Sequence, residues 1–206
     1  MISAIDALQR LREGNRRFIN GKTTIDATTS HLQRPEMASG QNPFAIVLAC
    51  SDSRVPTELI FDQGIGDLFV IRVAGNIVAP TQIGSIEYAA MQFETQLVLV
   101  LGHSNCGAVI ATLQELAKEE NHRSPNLRTI VDLIRPAVEP ILTEENDEDS
   151  AVVIGKAVRA NIGKSVDRLE NGSLIIENLI EQGDLQVVGA EYSIETGEIE
   201  FFEDRK

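Results

Sequence analysis

Cys50, His103 and Cys106 are the residues of this chain best able to do chemistry together. Cys50 opens the segment Cys50-Ser51-Asp52-Ser53-Arg54, and the other two frame His103-Ser104-Asn105-Cys106-Gly107. Each segment follows an apolar run, residues 44–49 and 97–101, that reads as a buried β-strand. Both therefore stand at strand ends, where open α/β sheets bind their ligands. Two thiols and an imidazole are ligand types that zinc favours, and a catalytic zinc commonly takes three protein ligands and leaves a fourth position for water. The two-residue gap between His103 and Cys106 is a short bite that a strand-to-helix turn can fold around one ion, with Cys50 arriving from a neighbouring strand. A metal-free pairing of Cys106 with His103 is the alternative, but it leaves Cys50 and its neighbours without a role.

Charge sharpens the reading. Two thiolates cancel the charge of Zn²⁺, so a coordinated water loses its proton less readily than at a tris-histidine site. Asp52 is placed to help. If the backbone stays extended past Cys50, then Cys50, Asp52 and Arg54 point to one side. The Asp52 carboxylate can accept a hydrogen bond from the metal-bound water, or swing onto the metal and close the site. A charge-assisted pair with Arg54 keeps it off. An isolated Asp-x-Arg is ordinarily a surface ion pair worth little. Directly after a ligand cysteine it has a use, and a closed structural zinc with Asp52 as fourth ligand would leave Arg54 with none.

The elements that must position these residues alternate. A helix is expected over residues 3–18, capped by Ser3 and carrying Ile5, Leu8, Leu11 and Phe18 on one stripe. It fits either this chain's core or an arm laid across a partner. A polar, turn-rich connection over 20–42 leads to a strand at 44–50, whose continuous apolarity suggests burial on both faces. Then come a short helix opened by Pro56, a strand at 67–73 with a tight exit at Ala74-Gly75-Asn76, a helix at 81–94, a strand at 96–101 and a helix at 108–119. Beyond residue 120 the pattern turns helical: 126–142, with Pro136 and Pro140 expected to kink or end it, 147–169 with an acidic start, and 173–181. Strands at 185–190 and 198–202 form a hairpin around Thr196-Gly197. The fold class expected is α/β, a mainly parallel central sheet flanked by helices, with an extending N-terminal helix and a C-terminal helical and hairpin region. The chain divides as one domain over 1–206, an N-terminal helical arm at 1–42 and a zinc-binding core at 43–206.

Composition narrows the partners. The 206 residues are 43% hydrophobic and 24% charged, with no Trp, and carry a net charge of −13, which disfavours nucleic acid and anionic membrane alike. No apolar run approaches the ~20 residues of a membrane-spanning helix. Asp6, Arg10, Arg12 and Glu13 interrupt the place of a secretory h-region, so a cytoplasmic protein is expected. Two cysteines make no disulfide framework, and by number alone they read as buried thiols or a single bridge. The remaining histidines, His31 and His122, read as surface residues, neither marked for proton transfer.

The two metal segments together resemble the signatures of β-class carbonic anhydrases. The resemblance runs on through Arg72-Val73-Ala74-Gly75-Asn76 and Ser85-Ile86-Glu87-Tyr88-Ala89, and more loosely over about residues 1–202. It implies one zinc per chain on Cys50, His103 and Cys106, an Asp52–Arg54 dyad, and interconversion of CO2 and bicarbonate by a zinc-bound hydroxide that the dyad orients. It implies a homodimer or dimer-based tetramer, with sites at the subunit interface and the first helix embracing the partner. Gln41, Phe69 and Tyr88 fall where the plant-type branch places its substrate pocket, with Gln41 donating to substrate, and Gly107 is placed there with them. The branch locked by non-catalytic bicarbonate has a Trp where this chain has Val47, so an open, water-ligated zinc is expected. A sister hydrolase acting on carbonyl sulfide or carbon disulfide would share the same ligands and stays open as an alternative.

Overall fold

The computed structural model describes residues 2–24, 38–116, 124–144 and 149–202. Five strands form one sheet in the order β2-β1-β3-β4-β5: β1 Ala45–Ala49, β2 Leu68–Arg72, β3 Leu97–His103, β4 Gln186–Tyr192 and β5 Ile199–Phe202. The first four are parallel and β5 pairs antiparallel with β4. Helices α1 Ala4–Ile19 and α2 Thr57–Ile60 lie against one face. The other face is covered by α3 Pro80–Phe93, α4 Gly107–Leu116, α5 Pro125–Glu144, α6 Ser150–Glu170 and α7 Leu174–Gln182.

The strands are apolar on both sides because both sides are covered. Every residue of β1 is fully buried. Ile46 and Leu48 enter the core beneath α3–α7, while Ala45, Val47 and Ala49 face α1 and α2. Full burial stabilises by about 1.5–3 kcal/mol per large aliphatic side chain. The chain leaves β1 for β2 on one flank and then returns to β3 on the other. This reversal of strand order opens a crevice at the carboxyl ends of β1 and β3. Close packing of α6 across the sheet needs a residue without a side chain: a Cβ at Gly102 would stand 2.5 Å from Ile162 Cδ1.

Helix α1 begins where expected, with Ser3 Oγ accepting from the Asp6 N–H at 3.1 Å. Its stripe of Ala7, Leu8 and Leu11 packs on this chain's own sheet. Buried Asn15 ties it down: the side-chain amide donates to the carbonyls of Ile60 and Gly197, and its oxygen accepts from the Ile199 N–H. Ile5 stays 76% exposed on the outer side.

The expectation that Pro136 or Pro140 would end the helix is corrected. Helix α5 runs through both Pro136 and Pro140. Both rings lie on the exposed side of the helix, opposite buried Val131, Ile134 and Val138, so water can satisfy the carbonyls that lose their helical donors. Asp149, the last of the expected acidic residues, caps α6, its carboxylate accepting from the Ala151 N–H at 3.1 Å. Residues 145–148, His31 and His122 lie outside the described residues.

Candidate metal centre

Cys50 follows β1 directly, His103 ends β3, and Cys106 immediately precedes α4. The switch in strand order therefore delivers all three to one crevice. Their ligand atoms all lie within 4.8 Å of one another, and all three residues are buried. The two sulfurs are 4.0 Å apart. Two sulfurs at about 2.3 Å on a tetrahedral zinc stand roughly 3.8 Å apart, so the observed spacing suits such an ion.

His103 gives the sharper test. Its Nδ1 faces the Ser104 carbonyl at 2.9 Å, which assigns the proton to Nδ1 and leaves a lone pair on Nε2. That Nε2 is buried with no hydrogen-bond partner. A buried nitrogen lone pair beside two sulfurs is the donor set a soft divalent cation fills. Ser104 is itself fixed, its N–H donating to the Tyr192 carbonyl and its Oγ accepting from the Ile194 N–H.

The sulfurs are prepared for a cation. Cys106 donates to the Cys50 sulfur, which holds Cys50 below the ordinary thiol range against the opposing effect of burial, with the Gly75 N–H helping. Cys106 is pushed up, first by serving as that donor and then by burial, while the Ala108 and Val109 N–H groups at the start of α4 pull the other way. The pair thus shares one proton. A cation held between the sulfurs would displace that proton and take both as thiolates.

Asp52 and Arg54 meet as expected, by a different backbone route. The chain turns after Cys50, with the Val55 N–H donating to the Asp52 carbonyl at 3.1 Å, where an extended run was expected. Arg54 grips the carboxylate at both oxygens, Nε to Oδ1 at 2.9 Å and Nη2 to Oδ2 at 2.7 Å, and its backbone N–H adds a third bond at 3.0 Å. This grip holds the Asp52 carboxyl well below the usual carboxylate range. Asp52 Oδ2 lies 3.8 Å from His103 Nε2, close to the cluster and engaged by Arg54.

The other expected site residues stand elsewhere in the same chain. Gln41 is exposed and lines a cleft of ≈ 640 Å³ with Ser39, Asn42, Ile65 and Leu68. Leu68 starts β2, so this cleft is at the end of the sheet opposite Cys50. Phe69 pairs in register with Ile46, four residues before Cys50. It meets Tyr88 in a tilted ring contact, centroids 6.2 Å apart, and both touch Phe93 of the helix that carries Tyr88. Tyr88 is 54% exposed. Gly107 opens α4 beside Cys106, and the space where its Cβ would stand is open.

Arg72, quoted in the resemblance, was given no role by the sequence. At the end of β2 its Nε donates to the Cys50 carbonyl at 3.1 Å and its Nη2 to the Asp52 carbonyl at 2.6 Å, clamping the turn between ligand and carboxylate. A charged residue ending an apolar strand opposite Ala49 was the available signal.

Comparison with known proteins agrees with this geometry. The carbonic anhydrase family profile matches residues 45–199. Carbonic anhydrase 2 of Mycobacterium tuberculosis is 36% identical over 193 residues, covering 94% of this chain and 90% of that protein. A carbonic anhydrase of Mycolicibacterium smegmatis is 36% identical over 196 residues, covering 95% and 92%. Among solved structures, the β-carbonic anhydrase CcaA superposes with a TM-score of 0.75 at 30% identity over 95% of each chain. A tetrameric β-carbonic anhydrase from Sordaria macrospora shares the fold, with a TM-score of 0.76 at 24% identity over 97% of this chain and 98% of the other.

Proposed function

Because this chain belongs to the β-class carbonic anhydrase family of lyases, we propose that it hydrates CO2 reversibly to bicarbonate and a proton using one zinc held by Cys50, His103 and Cys106. The observation that carries the reading is the buried, unpartnered His103 Nε2 facing two sulfurs while Arg54 holds the Asp52 carboxylate. Zinc, when bound, supplies the Lewis acidity that makes water a competent nucleophile near neutral pH.

The chain's own part is orientation. Asp52 stays a carboxylate throughout the neutral range, because Arg54 stabilises the charged form. It accepts a hydrogen bond from the attacking water, aiming a lone pair at the carbon of CO2. Arg54 keeps both carboxylate oxygens engaged, so Asp52 is held to orient the nucleophile and would not serve as a further ligand to the metal. Arg72 fixes the turn that carries Asp52.

Gln41, Phe69 and Tyr88 complete the substrate pocket of a second chain in a homodimer or dimer-based tetramer. Within one chain Gln41 is separated from Cys50 by the length of β1, about 16 Å, and the related fold from Sordaria macrospora is tetrameric. Mixing tests the function and this arrangement together. The Asp52→Asn and Gln41→Ala proteins are each expected to hydrate CO2 poorly in a stopped-flow assay. Dissociated and reassociated together, they should recover about a quarter of the wild-type rate, since half the sites of each mixed dimer regain both native residues. Recovery absent from assemblies shown to be mixed contradicts the shared pocket. A wild type that is inert towards CO2, or faster on carbonyl sulfide, contradicts the function.

A further inference from the structure

Helix α6 carries two buried polar side chains that the proposed reaction does not use. Asn161 and Ser165 are 2% and 3% exposed, among buried Ala157, Val158, Ile162, Val166 and Leu169. Spaced by four, they lie on one face of the helix. Buried polar groups need partners, and both find them in the same short segment. Asn161 Nδ2 donates to the Gly75 carbonyl at 2.8 Å, and Ser165 Oγ to the Asn76 carbonyl at 3.0 Å.

That segment is the 3₁₀ turn Ala74–Asn76 leaving β2. At its start the Val73 carbonyl accepts from the N–H groups of Ser51 and Asn76, and the Val73 N–H donates to the Ala49 carbonyl. At its centre Gly75 has φ 71°, a left-handed conformation that suits glycine. The wall there is tight: a Cβ on Gly75 would stand 2.8 Å from Ile134 Cδ1 and 3.0 Å from the Ala108 Cβ. Held on these sides, the Gly75 N–H donates to the Cys50 sulfur at 3.3 Å.

We infer that Asn161 and Ser165 are positioning residues for the metal centre: from α6 they fix the Gly75 N–H against the Cys50 sulfur and so set how tightly the cation is held and how much charge the thiolate passes to it. The inference rests on the reading of Cys50, His103 and Cys106 as zinc ligands. A thiolate that accepts an N–H bond delocalises part of its charge away from the metal, and outer contacts of this kind fix ligand orientation. A purely structural role for the two side chains would change stability and leave the metal's electronic environment alone.

The test uses full-length wild type, the Asn161→Ala/Ser165→Ala double variant, and Thr95→Val as a control. Thr95 is also buried, and its hydroxyl donates to the Pro43 carbonyl at the opposite end of the sheet. Competition with a chromophoric chelator measures zinc affinity, and cobalt substitution reports the sulfur-to-metal charge-transfer band. The double variant is expected to bind zinc about 10- to 100-fold more weakly and to shift the cobalt band to longer wavelength. Thr95→Val should lose stability while keeping wild-type affinity and spectrum. Should the double variant fail to fold, Ser165→Ala alone, which removes one oxygen, carries the same expected band shift. A folded variant with wild-type affinity and an unmoved band overturns the inference, as does an equal affinity loss in Thr95→Val. A wild type that takes up no zinc overturns the metal reading, and this inference with it.

Discussion

Asp52→Asn should hydrate CO2 roughly 10²- to 10³-fold more slowly than wild type, the usual loss when a preorganised hydrogen-bonding group at the reacting atoms is removed, and should keep its zinc. The amide has nearly the shape of the carboxylate, so the turn clamped by Arg72 survives. What goes is the negative charge and one of the two oxygens gripped by Arg54. The pH dependence adds a second constraint. A carboxyl with a lowered folded-state pKa contributes stability above its ordinary value of about 4 and loses it as pH falls through the lower folded value. Asp52 is such a group, so its protonation plays no part near neutrality. The ratio of wild-type to Asp52→Asn rates is therefore expected to be equal at about pH 6.5 and about pH 8.5. A ratio collapsing towards one at the acid end contradicts this account, and loss of zinc along with activity would identify Asp52 as a fourth ligand of a closed site.

Cys106→Ala has the largest expected effect. It removes one of three ligands and leaves Cys50 and His103, which cannot retain zinc through purification. Metal content should fall from one zinc per chain to a small residual fraction, with hydration lost in proportion. Stability should fall too, because a cation bound only by the folded chain stabilises it by mass action. At a thousandfold excess of free zinc over its dissociation constant that amounts to about 4 kcal/mol, roughly ten degrees in thermal midpoint for a chain of this size. Chelation of wild type should lower the midpoint similarly, and chelation of Cys106→Ala should leave it unmoved. A variant that retains stoichiometric zinc places the metal elsewhere.

The ligands were legible because each is a chemically distinctive residue at the point where an apolar run ends. Cys50 follows five fully buried residues of β1, and His103 ends seven of β3. The carboxyl ends of neighbouring parallel strands meet, so strand prediction alone brought the three together. The Asp52–Arg54 pair was legible for the opposite reason: two residues of spacing suffice, in an extended run or in the turn that the structure shows. Support from α6 was not legible. Nothing local to Asn161 or Ser165 points to Gly75, 86 residues earlier, since the contact exists only once the sheet and α6 have packed. Pro136 and Pro140 do not end their helix, because a proline's effect depends on which side of the helix meets water. Gln41, Phe69 and Tyr88 rest on family resemblance, and a single chain sets Gln41 at the far end of the sheet.

The central claim is that Cys50, Cys106 and His103 hold a single zinc. X-ray absorption at the zinc edge, on protein purified without chelator, tests it most directly. The expected result is one zinc per chain with two sulfurs at about 2.3 Å and two nitrogen or oxygen neighbours at about 2.0–2.1 Å. Protein without zinc, or zinc with no sulfur neighbours, would contradict it.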